Sequence, residues 1–471
     1  VAADQDRTLH FVGIGGAGMS GLALVMHRLG ARVSGSDRER SSYSERLEQA
    51  GVAVSIGHSA DNLPAGAEVV VSTAIAGDNP ELERARELGL TVLHRSDLLA
   101  ELAARKRCIA VAGAHGKTTT TAMIAHVLTA CDRDPAYFVG GEVAVGGVTA
   151  NAAWGDGEWV VVEADESDRS FLKLSPEVAV VTNVELDHHT TYGGKAELFD
   201  AFRDFCDAAR SLVLWRGQPE LAQLASPDRR VVSYGVQGDG DAQGGNADLV
   251  AHALDEPAGA GGGIGFSVTV DGREHACRLQ VRGRHNAQNA LAAVAAAGLA
   301  GVEASAALAA LESFSGVGRR FERLGTEPHG AHVYDDYAHH PTEVAAALRT
   351  ARAVAGDGRV VAVFQPHLYS RTQSLARSFG RALAQADAVC VLEVYPAREL
   401  ASDFPGVSGY QVATATADAR RGIPVYWTPS RELAKRALGG LLCDGDLCVT
   451  IGAGDITELG HDLVAQAGAA R

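Results

Sequence analysis

VAGAHGKTTTTAMIA, residues 111–125, runs from apolar residues through two glycines, a histidine, a lysine and four threonines, then turns apolar again. RCIAVAG before it reads as a β-strand and the segment after it as a helix. Strand, tight turn and helix in that order are the local plan of an α/β phosphate loop. Gly113 and Gly116 let backbone N–H groups turn toward an anion, and the start of the helix adds its positive end. Lys117 can then hold outer phosphates, and Thr118 can lend a hydroxyl to magnesium. Only the second half of the eight-residue signature is present, G-x-x-G-K-T from Gly113 to Thr118, so the reading leans on its strand and helix context. The bland alternative is a helix-entry turn with an incidental exposed lysine. Thr119, Thr120 and Thr121 need not all meet a ligand; some are expected to cap the backbone or pack at the helix start.

Working outward, WVVVEAD (159–165) and VAVVTNV (178–184) are near-continuous β-branched runs suited to buried parallel strands. The first leads into Glu163, Asp165, Glu166 and Asp168, at the strand end that faces the ligand crevice in such sheets. If the strand persists, Glu163 and Asp165 share a side and Glu166 lies differently. Hard oxygens there suit a divalent ion; the alternative is a solvated acidic loop with capping groups. TNVELDHHTTYG (182–193) offers Asn183, Asp187, His188 and His189, and either histidine taken alone reads as a hydrogen-bonding loop residue.

A second nucleotide-like feature is GIGGAGMSG, residues 13–21, between a strand and a helix. Gly13, Gly15, Gly16 and Gly18 can bring a tight turn close to a diphosphate, Ser20 can cap the helix, and Asp37 falls where a ribose hydroxyl would be met. A nicotinamide-dependent dehydrogenase is compatible with this loop, but a UDP-sugar carries the same diphosphate and ribose.

Strand candidates continue at 54–56, 68–73 and 91–93, and ELAARK (101–106) is helical. LFDAFRDFCDAA is an amphipathic helix and RSLVLW a strand. GVQGDGDAQGGNAD and EPAGAGGGIG read as exposed turns between small edge strands. Alanine-rich helices follow at HNAQNALAAVAAAGLAG (285–301) and ASAALAALESF. Strands at 331–336, 388–394, 423–427 and 447–452, with RVVAVFQP, complete a third α/β part. The expected division is 1–104, 105–318 and 319–471.

With 42 basic against 58 acidic residues, the net charge of −16 offers no global attraction for nucleic acid or an anionic membrane. Seven scattered cysteines lack metal-ligand spacing and read as reduced, mostly buried small hydrophobes, with a Cys443–Cys448 pair as the lesser alternative. No apolar run is long enough to span a bilayer, and the opening residues lead straight into LHFVGIGG. The expectation is a cytoplasmic protein without membrane insertion, monomeric or weakly homodimeric.

Taken in order, GIGGAGMSG, GAHGKTTTTAM, EADESD, GRHNAQN, GVGRRFE, DDYAHHPTEV, FQPHLYSRT and EVYPARE resemble the Mur ligase family over essentially the full chain. These are ATP-dependent amide-forming enzymes of bacterial cell-wall precursor synthesis. The resemblance implies a Rossmann-like N-terminal domain for the UDP part of UDP-N-acetylmuramate, a P-loop-type central ATPase domain, and an α/β C-terminal domain that closes over both. It implies ATP and Mg2+ as cofactors and L-alanine as the second substrate, with peptide recycling onto the same nucleotide sugar as the alternative.

By position, Gly113, Ala114, His115, Gly116, Lys117, Thr118 and Thr119, with Asn286, Asn289, Arg320 and Asp336, would hold ATP. Thr118, Glu163 and His188 would form the magnesium environment. Gly15, Gly16, Ala17, Gly18, Met19, Ser20, Asp37, Ser72 and Thr73 would lie on the nucleotide-sugar side, with His367 and Arg371. Catalysis would fall to Lys117, Glu163, His188, His339, His367 and Arg371. The family often has arginine directly after the histidine of FQPH; here Leu368 stands there and Arg371 remains. No residue is assigned as general base.

Overall fold

The computed structural model describes residues 4–186, 191–238, 247–257, 262–270 and 272–469. Three sheets are built from strands in chain order. The first holds β1 (Thr8–Val12), β2 (Arg32–Asp37), β3 (Ala53–Ile56), β4 (Glu68–Val71) and β5 (Val92–His94). All its pairings are parallel, in the order β3-β2-β1-β4-β5. The order reverses at β1, so the crevice opens where β1 passes into its glycine loop.

The second sheet contains β6 (Arg107–Ala112), β7 (Ala136–Val145), β8 (Val148–Ala153), β9 (Trp159–Glu163), β10 (Val178–Val181), β11 (Ser211–Trp215), β12 (Arg230–Val236), β13 (Leu249–Asp255), β14 (Gly265–Val270) and β15 (Arg273–Arg278). Its order is β15-β14-β13-β12-β11-β10-β6-β9-β7-β8, which puts β6 between β9 and β10. The apolar runs anticipated at β9 and β10 are almost wholly buried, as strands covered on both faces must be. The third sheet contains β16 (Glu322–Thr326), β17 (His332–Asp336), β18 (Val360–Phe364), β19 (Ala388–Val391), β20 (Val425–Trp427) and β21 (Leu447–Ile451), in the order β16-β17-β21-β18-β19-β20. Alternate residues of β18 enter opposite cores, Val360, Ala362 and Phe364 on one face and Val361 and Val363 on the other.

The chain forms two compact units, Val1–His252 with Val268–Cys277 and Gln288–Phe314, and Ala253–Ser267 with Arg278–Ala287 and Ser315–Arg471. Within the first, one continuous core joins the first sheet to the second, from Leu9, Phe11 and Leu22 to Phe138, Ala152, Phe171 and Phe205. The helix Ala17–Arg28 lies so close to β8 that a Cβ on Gly21 would stand 3.0 Å from the Ala152 Cβ. Asn151 of β8 is buried there and donates to Ala17 O and Ser20 Oγ.

Several expectations shift at element ends. The helix containing ELAARK spans Arg95–Ala103 and stops before Lys106, whose Nζ donates to the carbonyls of Gly155 and Gly157 instead. β9 ends at Glu163 and β10 at Val181, shorter than their apolar runs suggest. The edge strands β13–β15 are present, while parts of the glycine-rich stretches between them lie outside the described residues. All seven cysteines are free; Cys448 is buried and Cys443 exposed, so the alternative of a Cys443–Cys448 disulfide does not hold. Among the described residues no helix is long and apolar enough to cross a membrane.

Candidate active site

β6 delivers the chain to Gly113, whose φ of +136° is a glycine conformation. The space beside it is closed, because a Cβ there would fall 2.2 Å from Thr182 Oγ1 and 2.8 Å from Asn183 O. Those two residues follow β10 and clamp the loop. Asn183 Oδ1 accepts from His115 N at 2.9 Å and its Nδ2 donates to His115 O at 2.9 Å, while Thr182 Oγ1 donates to the same carbonyl at 2.6 Å. Gly116, at φ +81°, faces Asn289, whose Oδ1 would lie 2.7 Å from a Cβ at that position. Thr120 Oγ1 also donates to Asn289 Oδ1, and Thr121 Oγ1 bonds back to Lys117 O. The later threonines are therefore buried, with Thr121 bonding within the helix Lys117–Ala130 and Thr120 bonding outside it to Asn289.

Lys117 Nζ donates to Gly113 O at 2.6 Å and to Glu166 Oε1 at 3.0 Å. Burial opposes the ammonium charge, but the carboxylates of Glu166, Asp165 and Glu163 outweigh it and hold the lysine well above its ordinary range. Lys117 thus stays charged at the mouth of the loop. Beside it, Thr118 Oγ1 donates to Glu163 Oε1 at 3.0 Å, and Gly140 N fixes the other carboxylate oxygen at 2.7 Å. This hydroxyl–carboxylate pair is the donor chemistry a hard divalent cation takes. His188 lies outside the described residues.

The acidic cluster divides differently from a continued strand. Because β9 ends at Glu163, Asp165 does not join it; Asp165 accepts from Arg95 Nη2 at 2.9 Å and from Ser167 N at 3.0 Å. Burial would raise the Asp165 carboxyl, but Arg95 and Lys117 bring it down to about 2. Glu166, one of the four carboxylates the acidic run offered for a divalent ion, is the partner of Lys117 instead, and its carbonyl accepts from Tyr192 Oη at 2.6 Å. The acidic run marked the region, but which carboxylate turns to the lysine depends on where the strand stops.

In the first sheet, the loop after β1 is held by β2: Gly13 N and Ile14 N donate to Ser36 O, and Gly15 N donates to Asp37 Oδ2 at 2.8 Å. Asp37 is therefore engaged with the loop itself. A Cβ on Gly15 would meet Asp37 Oδ2 and Ser41 Oγ at 2.9 Å. The expectation that Ser20 caps the helix is corrected: Gly16 is the N-cap, and Ser20 Oγ donates to Ala17 O one turn inside. Met19 and Ser20 are buried, Met19 in the core. Ser72 and Thr73 follow β4, next to β1.

In the second unit, polar groups gather at the carboxyl ends of β17 and β18. Asp336 ends β17 and accepts from Phe321 N and Ala338 N; burial pushes its carboxyl up to about 7 against the pull of Arg320. His339 Nδ1 is 3.1 Å from Tyr337 O, and its ring is 6.2 Å from that of His367. His367 stacks on Tyr395, and its Nδ1 is 3.2 Å from Nη1 of the buried Arg371. Leu368 takes φ +70° and ψ 133° at the start of the helix Tyr369–Leu383, so the residue that departs from the family pattern occupies strained backbone. Asn286 Nδ2 turns back to Arg282 O at 2.6 Å, and burial brings the neighbouring His285 down to about 4.

Three domain families match the chain: Mur ligase family, catalytic domain, over residues 8–107; Mur ligase middle domain over 111–297; and Mur ligase, glutamate ligase domain, over 319–454. A UDP-N-acetylmuramate–L-alanine ligase of Streptomyces coelicolor is 45% identical over 462 residues, covering 97% of this chain and 96% of that one. One from Renibacterium salmoninarum is 46% identical over 463 residues, covering 97% and 95%. Among solved structures, a UDP-N-acetylmuramate–alanine ligase from Thermotoga maritima is 30% identical with a TM-score of 0.82, covering 98% of this chain and 100% of that one. A murein peptide ligase from Psychrobacter arcticus is 25% identical with a TM-score of 0.74, covering 98% and 99%.

Proposed function

The chain belongs to the Mur ligase family, and from that premise we propose that it is an ATP-dependent ligase joining L-alanine to the carboxylate of UDP-N-acetylmuramate. The observation that carries this reading is the charged Lys117 seated between Gly113 O and Glu166 at the end of β6, with Thr118 and Glu163 beside it. That arrangement suits the outer phosphates of ATP.

A carboxylate in water is a poor electrophile, so an amide forms only after activation. The γ-phosphoryl group passes to the muramoyl carboxylate, giving an acyl phosphate and ADP. The neutral amine of L-alanine then attacks the acyl carbon, and phosphate leaves. Lys117 leaves Glu166 for the phosphate oxygens and compensates their charge, while the backbone N–H groups at the helix start, Gly116 to Thr118, fix the chain of phosphates. Thr118 Oγ1 and Glu163 would hold a magnesium ion, which when bound supplies further charge neutralisation on the phosphates. The loop after β1 is assigned to the UDP diphosphate, and His367 and Arg371 to substrate. Both nucleotide substrates place the reaction in the cytoplasm.

A product assay with ATP, magnesium, UDP-N-acetylmuramate and L-alanine, each omitted in turn, tests the activity; a tripeptide in place of L-alanine tests recycling. Formation of UDP-N-acetylmuramoyl-L-alanine only in the complete mixture is the expected result, and preference for the tripeptide would overturn it. Positional isotope exchange in ATP that requires the muramoyl substrate tests the acyl phosphate.

A further inference from the structure

Gly18 lies in the first turn of the helix Ala17–Arg28 and does not take a left-handed conformation, so backbone freedom is not its purpose. Its missing side chain makes room for an arginine: a Cβ built on Gly18 would stand 3.2 Å from Arg95 Nη1. Arg95 opens the helix Arg95–Ala103 directly after β5. Its other terminal nitrogen, Nη2, donates to Asp165 Oδ2 at 2.9 Å and lies 3.7 Å from Asp168 Oδ2. That Asp168 oxygen is buried and makes no hydrogen bond among the described residues, so the guanidinium is the cation it faces. One planar group therefore lies with one edge beside the helix turn that follows the first glycine loop and with the other binds the acidic loop, and the residue after Asp165 is Glu166, the partner of Lys117.

We propose that Arg95 is a positioning residue that couples the two phosphate loops of the reaction. An anion beside Gly18 fixes one edge of the guanidinium, the other edge then orders Asp165 and Asp168, and the loop that presents Glu166 to Lys117 is steadied for ATP. A guanidinium does this because its donors are rigidly spaced; an ammonium serves one side at a time. The inference rests on the reading that the first loop takes the UDP diphosphate. By linkage the effect is reciprocal, each nucleotide tightening the other by the same factor.

The test is calorimetric binding of a non-hydrolysable ATP analogue with and without saturating UDP. In the wild type UDP is expected to tighten the analogue about fivefold. Arg95→Ala should weaken UDP roughly tenfold and bring the coupling ratio close to one. Arg95→Lys should keep more of the UDP affinity yet lose the coupling. Gly18→Ala, which crowds the guanidinium by a few tenths of an ångström with Arg95 intact, should lower the ratio as well. A purely structural role would weaken both ligands and leave the ratio unchanged. A wild-type ratio of one, or an undiminished ratio in the Arg95 variants, overturns the inference while the reading of the loop stands. Failure of UDP to bind the wild type, or competition between UDP and the analogue for one site, overturns that reading and the inference with it.

Discussion

Glu166→Gln isolates the contact on which the proposed ATP site rests. Glu166 Oε1 is 3.0 Å from Lys117 Nζ, with the glutamate side chain 3% exposed and the lysine 16%. At that separation the attraction is about 5.5 kcal/mol for an effective dielectric constant of about 20. Desolvation of both groups offsets much of it, so the net loss on neutralising the carboxylate is expected to be about 1–3 kcal/mol. Removing the charge leaves Lys117 hydrogen-bonded to the carbonyls of Gly113 and Ala114, with Asp165 and Glu163 as the remaining nearby carboxylates. ATP changes the balance, because its outer phosphates offer the ammonium a replacement anion. The variant should therefore unfold several degrees below the wild type without nucleotide and recover most of the difference at saturating ATP. Scanning calorimetry of both proteins, with and without ATP and with Lys117→Met as a control that cannot recover, measures this directly. A deficit that persists undiminished with ATP, or no deficit at all, would refute the idea that Glu166 stands in for phosphate.

Gly113→Ala should lose about 3 kcal/mol or more of stability together with ATP turnover, since its Cβ would collide with Thr182 and Asn183 at a φ of +136°; chemical denaturation and the product assay check it. Thr118→Ala should raise the magnesium concentration for half-maximal rate roughly tenfold, read from a magnesium titration, and Glu163→Gln should do the same. The Asp336 carboxyl, raised from 3.8 to about 7, keeps its proton longer in the fold than in the unfolded chain. Its contribution is therefore complete below about pH 4 and is lost as pH rises through about 7, by at most about 4 kcal/mol. His285, lowered from 6.5 to about 4, has the opposite slope, losing stability as pH falls from about 6.5 toward 4. Asp336→Asn should remove the first trend and leave the second, in unfolding curves between pH 4 and 8.

The strand, glycine turn and helix around Lys117 were legible because their chemistry is local. Two glycines, a lysine and a threonine between an apolar strand and a helix can be recognised without knowing what surrounds them, and the buried runs of β9 and β10 declare themselves by continuous β-branched residues. The order of motifs along the chain likewise carried the family. The β7–β8 hairpin was not read, because its glycines interrupt the alternation that marks a strand, and its register shifts between Phe138 and Val143. Yet that hairpin brings Asn151 to the first turn of the helix after the glycine loop.

What the sequence by itself determined is the set of donors and the elements that bear them, since periodicity and turn chemistry act over a few residues. What only the tertiary structure decided is which donors meet. Strand order seats β6 between β9 and β10, the end of β9 at Glu163 sends Asp165 to Arg95 and Glu166 to Lys117, and a missing Cβ at Gly18 admits an arginine 77 residues along the chain. These pairings arise from packing between segments distant in sequence, and no local pattern encodes them.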